Sequence, residues 1–165
     1  MILISHRGNL NGPQQSKENS PAYIEKAMAA GFDVEVDVWY SDEKFFLGHD
    51  CPQYEISIEF LKDDRLWCHA KNIESLKIML REGVHCFWHQ QDHYTFTSDG
   101  CIWAYPGEEV GEGTICVMPE GCNYAEDELL RCMGICSDYV ARYSSFRKGE
   151  KNEISMATNT VNGDK

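Results

Sequence analysis

Between positions 32 and 38 the chain reads Phe32-Asp33-Val34-Glu35-Val36-Asp37-Val38. Valines alternating with charged residues have the two-residue period of a strand, so Val34, Val36 and Val38 share one face and Glu35 and Asp37 the other. Two carboxylates on one strand face repel unless a cation lies between them, and burying them ionised is costly. Such a strand needs either open water over its acidic face or a polar site built around it. The residues before it set its context. Met1 to Ser5 is a short apolar strand ending at His6, and the loop from Gly8 to Asn19 is rich in Gly, Asn, Gln and Pro. Ser20 is placed as an N-cap with Pro21 at the first helical position; Ile24, Ala27 and Met28 fall on one helical face, and Gly31 ends the helix. The first forty residues therefore form a β-α-β unit, which implies a parallel pair with a right-handed crossover.

The rhythm continues, then weakens. Asp42-Glu43-Lys44 is a polar turn before a short strand over Phe45-Phe46-Leu47, and a short helix is expected over Ser57 to Leu61. Leu66 to Lys71 reads as a strand. Asn72 caps a helix whose Ile73, Leu76, Met79 and Leu80 form the expected core stripe, closed by Gly83; Val84 to His89 is the next strand. From Thr95 to Tyr105 two apolar segments flank Ser98-Asp99-Gly100, which fits a hairpin or a barrel strand reached without its helix. Thr114 to Met118 is a strand, Ala125 to Met133 a short helix, Ile135 to Tyr139 the last strand and Val140 to Phe146 a closing helix. Residues 1–146 read as one domain, and 147–165 as a polar, mobile tail.

Parallel α/β folds bind ligands at the carboxyl ends of their strands. His6, Asp37 and Lys71 all fall at such ends, and Trp67, His69 and Lys71 share a strand face. Around them stand Ser5-His6-Arg7-Gly8, Glu18-Asn19, Glu35-x-Asp37 and Gly48-His49-Asp50. In order and approximate spacing these resemble the H-R-G, E-N-T, E-x-D and H-D signatures of the glycerophosphodiester phosphodiesterase family, with Ser20 where the family has Thr. The resemblance is strong over residues 2 to 50, weaker from 66 to 83, and returns only at Gly134 to Tyr139. It implies a compact or incomplete TIM-type (β/α) barrel, with abbreviated helices in the second half, that hydrolyses phosphodiesters with a metal ion, by way of a cyclic phosphate. His6 and His49 would be the acid–base pair, since imidazoles exchange protons near neutral pH. Glu35, Asp37 and Glu18 would bind the ion, while Arg7 and Lys71 would neutralise the phosphate. The family's third strand carries Glu-x-Lys where this chain has His69-Ala70-Lys71. Oxygen ligands suit Mg2+ or Ca2+; His69 as a ligand would favour Mn2+ or Zn2+. Only the short segment from Cys51 to Arg65 joins His49-Asp50 to the next parallel strand, where the family carries an insertion that shapes the glycerol-phosphate pocket. Two readings follow: a phosphoric diester hydrolase, or a phosphate-binding module on the same barrel that has lost turnover.

His85, His89 and His93 have the spacing of one helical face, but their segment reads as a strand, so they do not form a zinc site there. His89 is a candidate for the rim; Asp92 and Asp138 carry no assignment. The net charge of −12 and the absence of a basic run before the tail argue against nucleic-acid and anionic-membrane partners. The expected partner is a small phosphodiester, acting on a monomer or small homo-oligomer without stable membrane insertion. The N-terminus lacks the pattern of a signal peptide, and the eight cysteines contain no C-x-x-C pair. They read as reduced, half-buried small hydrophobes in a cytoplasmic protein.

Overall fold

A computed structural model describes residues 1–147. The expected tail thus lies outside the described residues apart from Arg147. Among the described residues there are ten strands: β1 (Ile2–His6), β2 (Asp33–Ser41), β3 (Lys44–Leu47), β4 (Tyr54–Ile56), β5 (Leu66–Ala70), β6 (Cys86–Trp88), β7 (Tyr94–Phe96), β8 (Ile102–Ala104), β9 (Thr114–Val117) and β10 (Gly134–Ser137). Four helices accompany them: α1 (Pro21–Ala29), α2 (Ile58–Leu61), α3 (Ile73–Arg81) and α4 (Glu126–Leu130), with 3₁₀ turns at Pro119–Gly121 and Val140–Arg147. No helix among the described residues is long and apolar enough to cross a membrane.

All the strands join one curled sheet. Seven run parallel in the order β6-β5-β2-β1-β10-β9-β8. β2 outruns β1, and its free upper half takes β3 as an antiparallel partner. That hairpin turns on Asp42 and Glu43, both at positive φ (50° and 61°), the conformation a two-residue turn needs to match strand twist. The second hairpin, β7–β8, is the hairpin alternative expected around Ser98-Asp99-Gly100. It brings the two ends of the curl together without a ladder. The Ser98 backbone N–H donates to the Cys86 carbonyl (2.7 Å), the Cys86 N–H to Ser98 Oγ (3.0 Å), and Thr95 Oγ1 to the Trp88 carbonyl (2.8 Å). The fold is therefore mixed α/β around an incompletely closed sheet. Its helices shrink toward the second half: β8 reaches β9 with no helix, and α4 has five residues.

Strand alternation divides the core. On the convex side Val34, Val36 and Val38 pack with Ile24, Ala27 and Met79 beneath α1 and α3, and Leu3, Cys116 and Ile135 pack with Phe32, Leu129 and Val140. On the concave side Ile4, Trp67, Phe87, Trp103, Ile115 and Cys136 fill the interior, so neighbours along a strand serve opposite cores. Asn72 caps α3, accepting from the Ser75 N–H at 2.9 Å. The buried stripe of α3 differs from the expected one. Met79 and Ser75 are buried and Leu76 partly so, while Ile73 and Leu80 are half exposed. Ser75 can turn inward because its hydroxyl donates to the Asn72 carbonyl (2.7 Å) and arrives at the core already satisfied. Ser20 adopts the N-cap backbone, yet its hydroxyl bonds back to the Lys17 carbonyl and makes no cap bond. All eight cysteines are free thiols, five of them buried.

Candidate functional site

The carboxyl ends of the parallel strands surround one cleft of about 420 Å³. Of the residues expected at the site, His6, Arg7, Glu35, His49, His69, Lys71 and His89 line it. Asp37 lies just beneath, fully buried. Glu18 stands to one side, where Arg7 Nη1 (3.4 Å) and Asn9 Nδ2 (2.8 Å) take its carboxylate. His49 is on the rim with 43% of its side chain exposed, its Nδ1 2.7 Å from Asp50.

The centre is the acidic face of β2. Glu35 Oε1 and Asp37 Oδ1 lie 3.7 and 3.2 Å from Nδ1 of His69, on the neighbouring β5. Each of the three residues offers one atom to a group spanning no more than 4.8 Å. The His69 tautomer follows from its other nitrogen. Nε2 sits 2.8 Å from the His89 backbone carbonyl, which can only accept, so Nε2 carries a proton. Nδ1 is then either a bare lone pair facing two carboxylates or a second protonated nitrogen paired with them. A proton or a metal ion satisfies the same three groups. A ligating histidine that donates its far N–H to a backbone carbonyl is the usual way a metal ligand is oriented.

The cations present do not serve the two acids equally. Arg7 Nε lies 3.0 Å from Asp37 Oδ2 and Lys71 Nζ 3.3 Å from Asp37 Oδ1. Asn19 donates to Asp37 Oδ2 and accepts from the Asp37 N–H, both at 2.9 Å. Burial alone would raise the Asp37 pKa, but His69, Arg7 and Lys71 outweigh it and hold the carboxyl below its ordinary range. Glu35 has no such help. Its nearest basic atoms are the His6 and His69 ring nitrogens, both at 3.7 Å. Burial, then repulsion from Asp37, raises its pKa. Glu35 Oε2 and Asp37 Oδ1 are buried without a directed hydrogen bond, a costly state for carboxylate oxygens that a bound cation removes. Two carboxylates and an imidazole thus form a group that could hold a metal ion.

His6 is governed by a residue that strand reasoning left unassigned. Asp138, just past β10, lies 2.8 Å from His6 Nδ1. Burial disfavours the imidazolium, yet the Asp138 hydrogen bond and the Glu35 carboxylate prevail and raise the His6 pKa. Asp138 is itself steadied: it accepts from Asn9 Nδ2 at 2.8 Å, and its N–H donates to Glu120 Oε1 at 3.1 Å. The strand-end rule that selected His6 also selects Asp138, and Asn19 belongs to the Glu18-Asn19 motif; Asn9 and Glu120 carry no signal of their own. The backbone here is unusual as well. Arg7 (φ 53°) and Asn19 (φ 61°) are left-handed and joined by the Asn19 N–H to the Arg7 carbonyl (3.1 Å). Gly8, at φ 93°, has Tyr23 so close that an added Cβ would lie 2.6 Å from its ring. The trio His85, His89 and His93 does not converge: His85 packs edge-on against Trp67, and exposed His93 pairs with Glu108.

No family model, curated protein or solved structure matches the chain. The functional reading rests on the residues themselves.

Proposed function

We propose that the chain is a metal-dependent phosphoric diester hydrolase on a compact TIM-type barrel. The observation that carries this is the buried Glu35–Asp37–His69 group, with Glu35 Oε2 left without a hydrogen-bond partner, beside an imidazole and two cations in one cleft. Glu35, Asp37 and His69 would hold a divalent ion, which supplies charge stabilisation to a phosphoryl oxygen. Mg2+ and Ca2+ suit the two carboxylates, and Mn2+ or Zn2+ the added imidazole. Arg7 and Lys71, partly engaged with Asp37, face the same cleft and draw the phosphate toward the β2–β5 seam. His6, whose pKa is raised by Asp138 and Glu35 against the effect of burial, gives its proton to the oxygen leaving phosphorus. His49 takes the proton of the attacking oxygen, a neighbouring substrate hydroxyl or water, so one P–O bond forms as the other breaks. Asp138 neither gives nor takes a proton; it orients His6 Nδ1 and leaves Nε2 toward the cleft.

One observation favours a binding module without turnover. His49 is held by the adjacent, exposed Asp50 and by no residue of the core, so its placement is weak for a proton acceptor. Hydrolysis of bis(4-nitrophenyl) phosphate with Mg2+, Ca2+, Mn2+ and Zn2+ in turn separates the two. Turnover with at least one ion, lost in His6→Ala and His49→Ala while the fold persists, is the expected result. Phosphate binding without turnover under every ion selects the module, and wild-type rates in either variant defeat the acid–base assignment.

A further inference from the structure

The polar groups discussed so far occupy one side of the cleft. The other side has a different chemistry. Its floor is Phe87, stacked against His69 at 5.1 Å and packed on Trp103 at 4.5 Å. Its wall is His89 against Tyr105, ring centroids 5.2 Å apart. Tyr105 leaves 46% of its surface exposed at the rim. Met118, at the same mouth, is held in the left-handed region at φ 50°, a conformation that costs energy and concentrates at ligand sites.

His89 is the exceptional group. Its side chain is only 10% exposed, yet neither ring nitrogen has a hydrogen-bond partner. The nearest acid, Asp92, stands 4.0 Å from Nδ1, beyond hydrogen-bond reach. Its backbone carbonyl is spent on His69, so the segment is anchored while the ring is not. A neutral imidazole in this position offers one donor and one acceptor. A buried imidazole with both nitrogens idle beside an aromatic floor points to a ligand that supplies the missing partners.

We propose that this half of the cleft is the subsite for the group esterified to phosphorus, and that it selects a flat aromatic or heterocyclic ring with a polar edge over a polyol. The proposal rests on the phosphodiester reading above. A polyol such as glycerol brings a hydroxyl on every carbon, each needing a partner when buried; the side chains on this side that could supply one are His89, Gln90 and the Tyr105 hydroxyl, too few for every carbon of a polyol. A flat ring instead packs against the exposed part of Tyr105, above the already buried Phe87, and turns its single polar edge to His89.

The test is calorimetric titration of the full chain with 4-nitrophenyl phosphate, glycerol 3-phosphate and inorganic phosphate, at one fixed divalent-ion concentration. The expected order places 4-nitrophenyl phosphate roughly tenfold tighter than glycerol 3-phosphate, from stacking and apolar burial. Tyr105→Ala should weaken 4-nitrophenyl phosphate about three- to tenfold. His89→Phe, which keeps the ring and deletes the nitrogens, should weaken it by a similar factor of about three to ten. Neither should change inorganic phosphate binding, and the His89 ring nitrogens should shift in 15N spectra only with the aryl probe. Equal affinity for the aryl and glycerol probes, or variants that weaken all three alike, overturns the subsite and leaves the phosphodiester reading standing. Failure of all three probes to bind with any ion overturns both.

Discussion

Glu35→Gln separates the stability of the site from its ion-binding role. Glu35 is 3% exposed, its Oε2 has no directed partner, and its closest basic atoms are at 3.7 Å. In metal-free protein the ionised carboxylate is therefore a liability, which is why burial and Asp37 raise its pKa. A raised acid favours folding fully below its unfolded value of 4.5 and loses that contribution as pH rises through the higher folded value. The glutamine side chain has no charge to lose and gains an amide N–H₂ that can reach Asp37 Oδ1 or His69 Nδ1. Relieving one buried unsatisfied group is worth about 1–3 kcal/mol, or roughly 2–12 °C in Tm for a domain of this size. In EDTA at pH 8 the variant should melt higher than wild type by that amount, and the gap should close toward pH 4. With ion at one hundred times its Kd, wild type should gain about 2.7 kcal/mol and the variant almost nothing. Differential scanning calorimetry over both series reads each effect. A variant less stable than wild type in EDTA at pH 8, or one that keeps the ion-dependent rise, would refute the account of Glu35 as an uncompensated carboxylate awaiting a cation.

Asp138→Asn keeps an oxygen for Asn9 but removes the charge facing His6, so the His6 pKa should fall in a 15N titration of EDTA-treated protein. Because the raised His6 pKa stabilises most at acid pH and loses its effect as pH climbs through it, the variant should lose about 1.5–3 kcal/mol at pH 5.5 and less at pH 8.5. An unchanged His6 pKa defeats the dyad. Ion binding should release protons into weakly buffered solution, since an ion displaces them from Glu35, whose pKa is raised by burial and Asp37, and affinity should rise as pH climbs through that raised value; a pH-independent Kd counts against Glu35 as a ligand. Gly8→Ala should cost at least about 1–3 kcal/mol by urea unfolding, since it meets both a φ of 93° and the Tyr23 ring. A neutral result there would mean the turn re-forms.

Much of the site was legible because strand alternation is a local property. Once residues 32–38 are a strand, Glu35 and Asp37 must share a face. Once Leu66–Lys71 is its parallel neighbour, His69 and Lys71 must rise at the same end. Asp138 falls at a strand end as His6 does, but its role comes from the closeness of β10 to β1, 132 residues apart in sequence at the His6 contact. Glu18 sits beside a conspicuous loop, yet its carboxylate goes to Arg7 and Asn9, a choice made by left-handed turns that composition does not reveal. In α3 Ser75 is tolerated in the interior because its hydroxyl is satisfied by the Asn72 carbonyl, a pairing that the hydrophobic period does not reveal.

From the amino-acid order alone came the β-α beginning, the acidic strand face, the placement of functional groups at strand ends and the thinning of helices in the second half. All of these follow from period and propensity, which act over a few residues. Only the tertiary structure decided which carboxylate is paired and which is left wanting, that Asp138 governs His6, and that the far wall of the cleft is aromatic. Those depend on how the sheet curls, since the curl alone sets the distances between side chains from different strands.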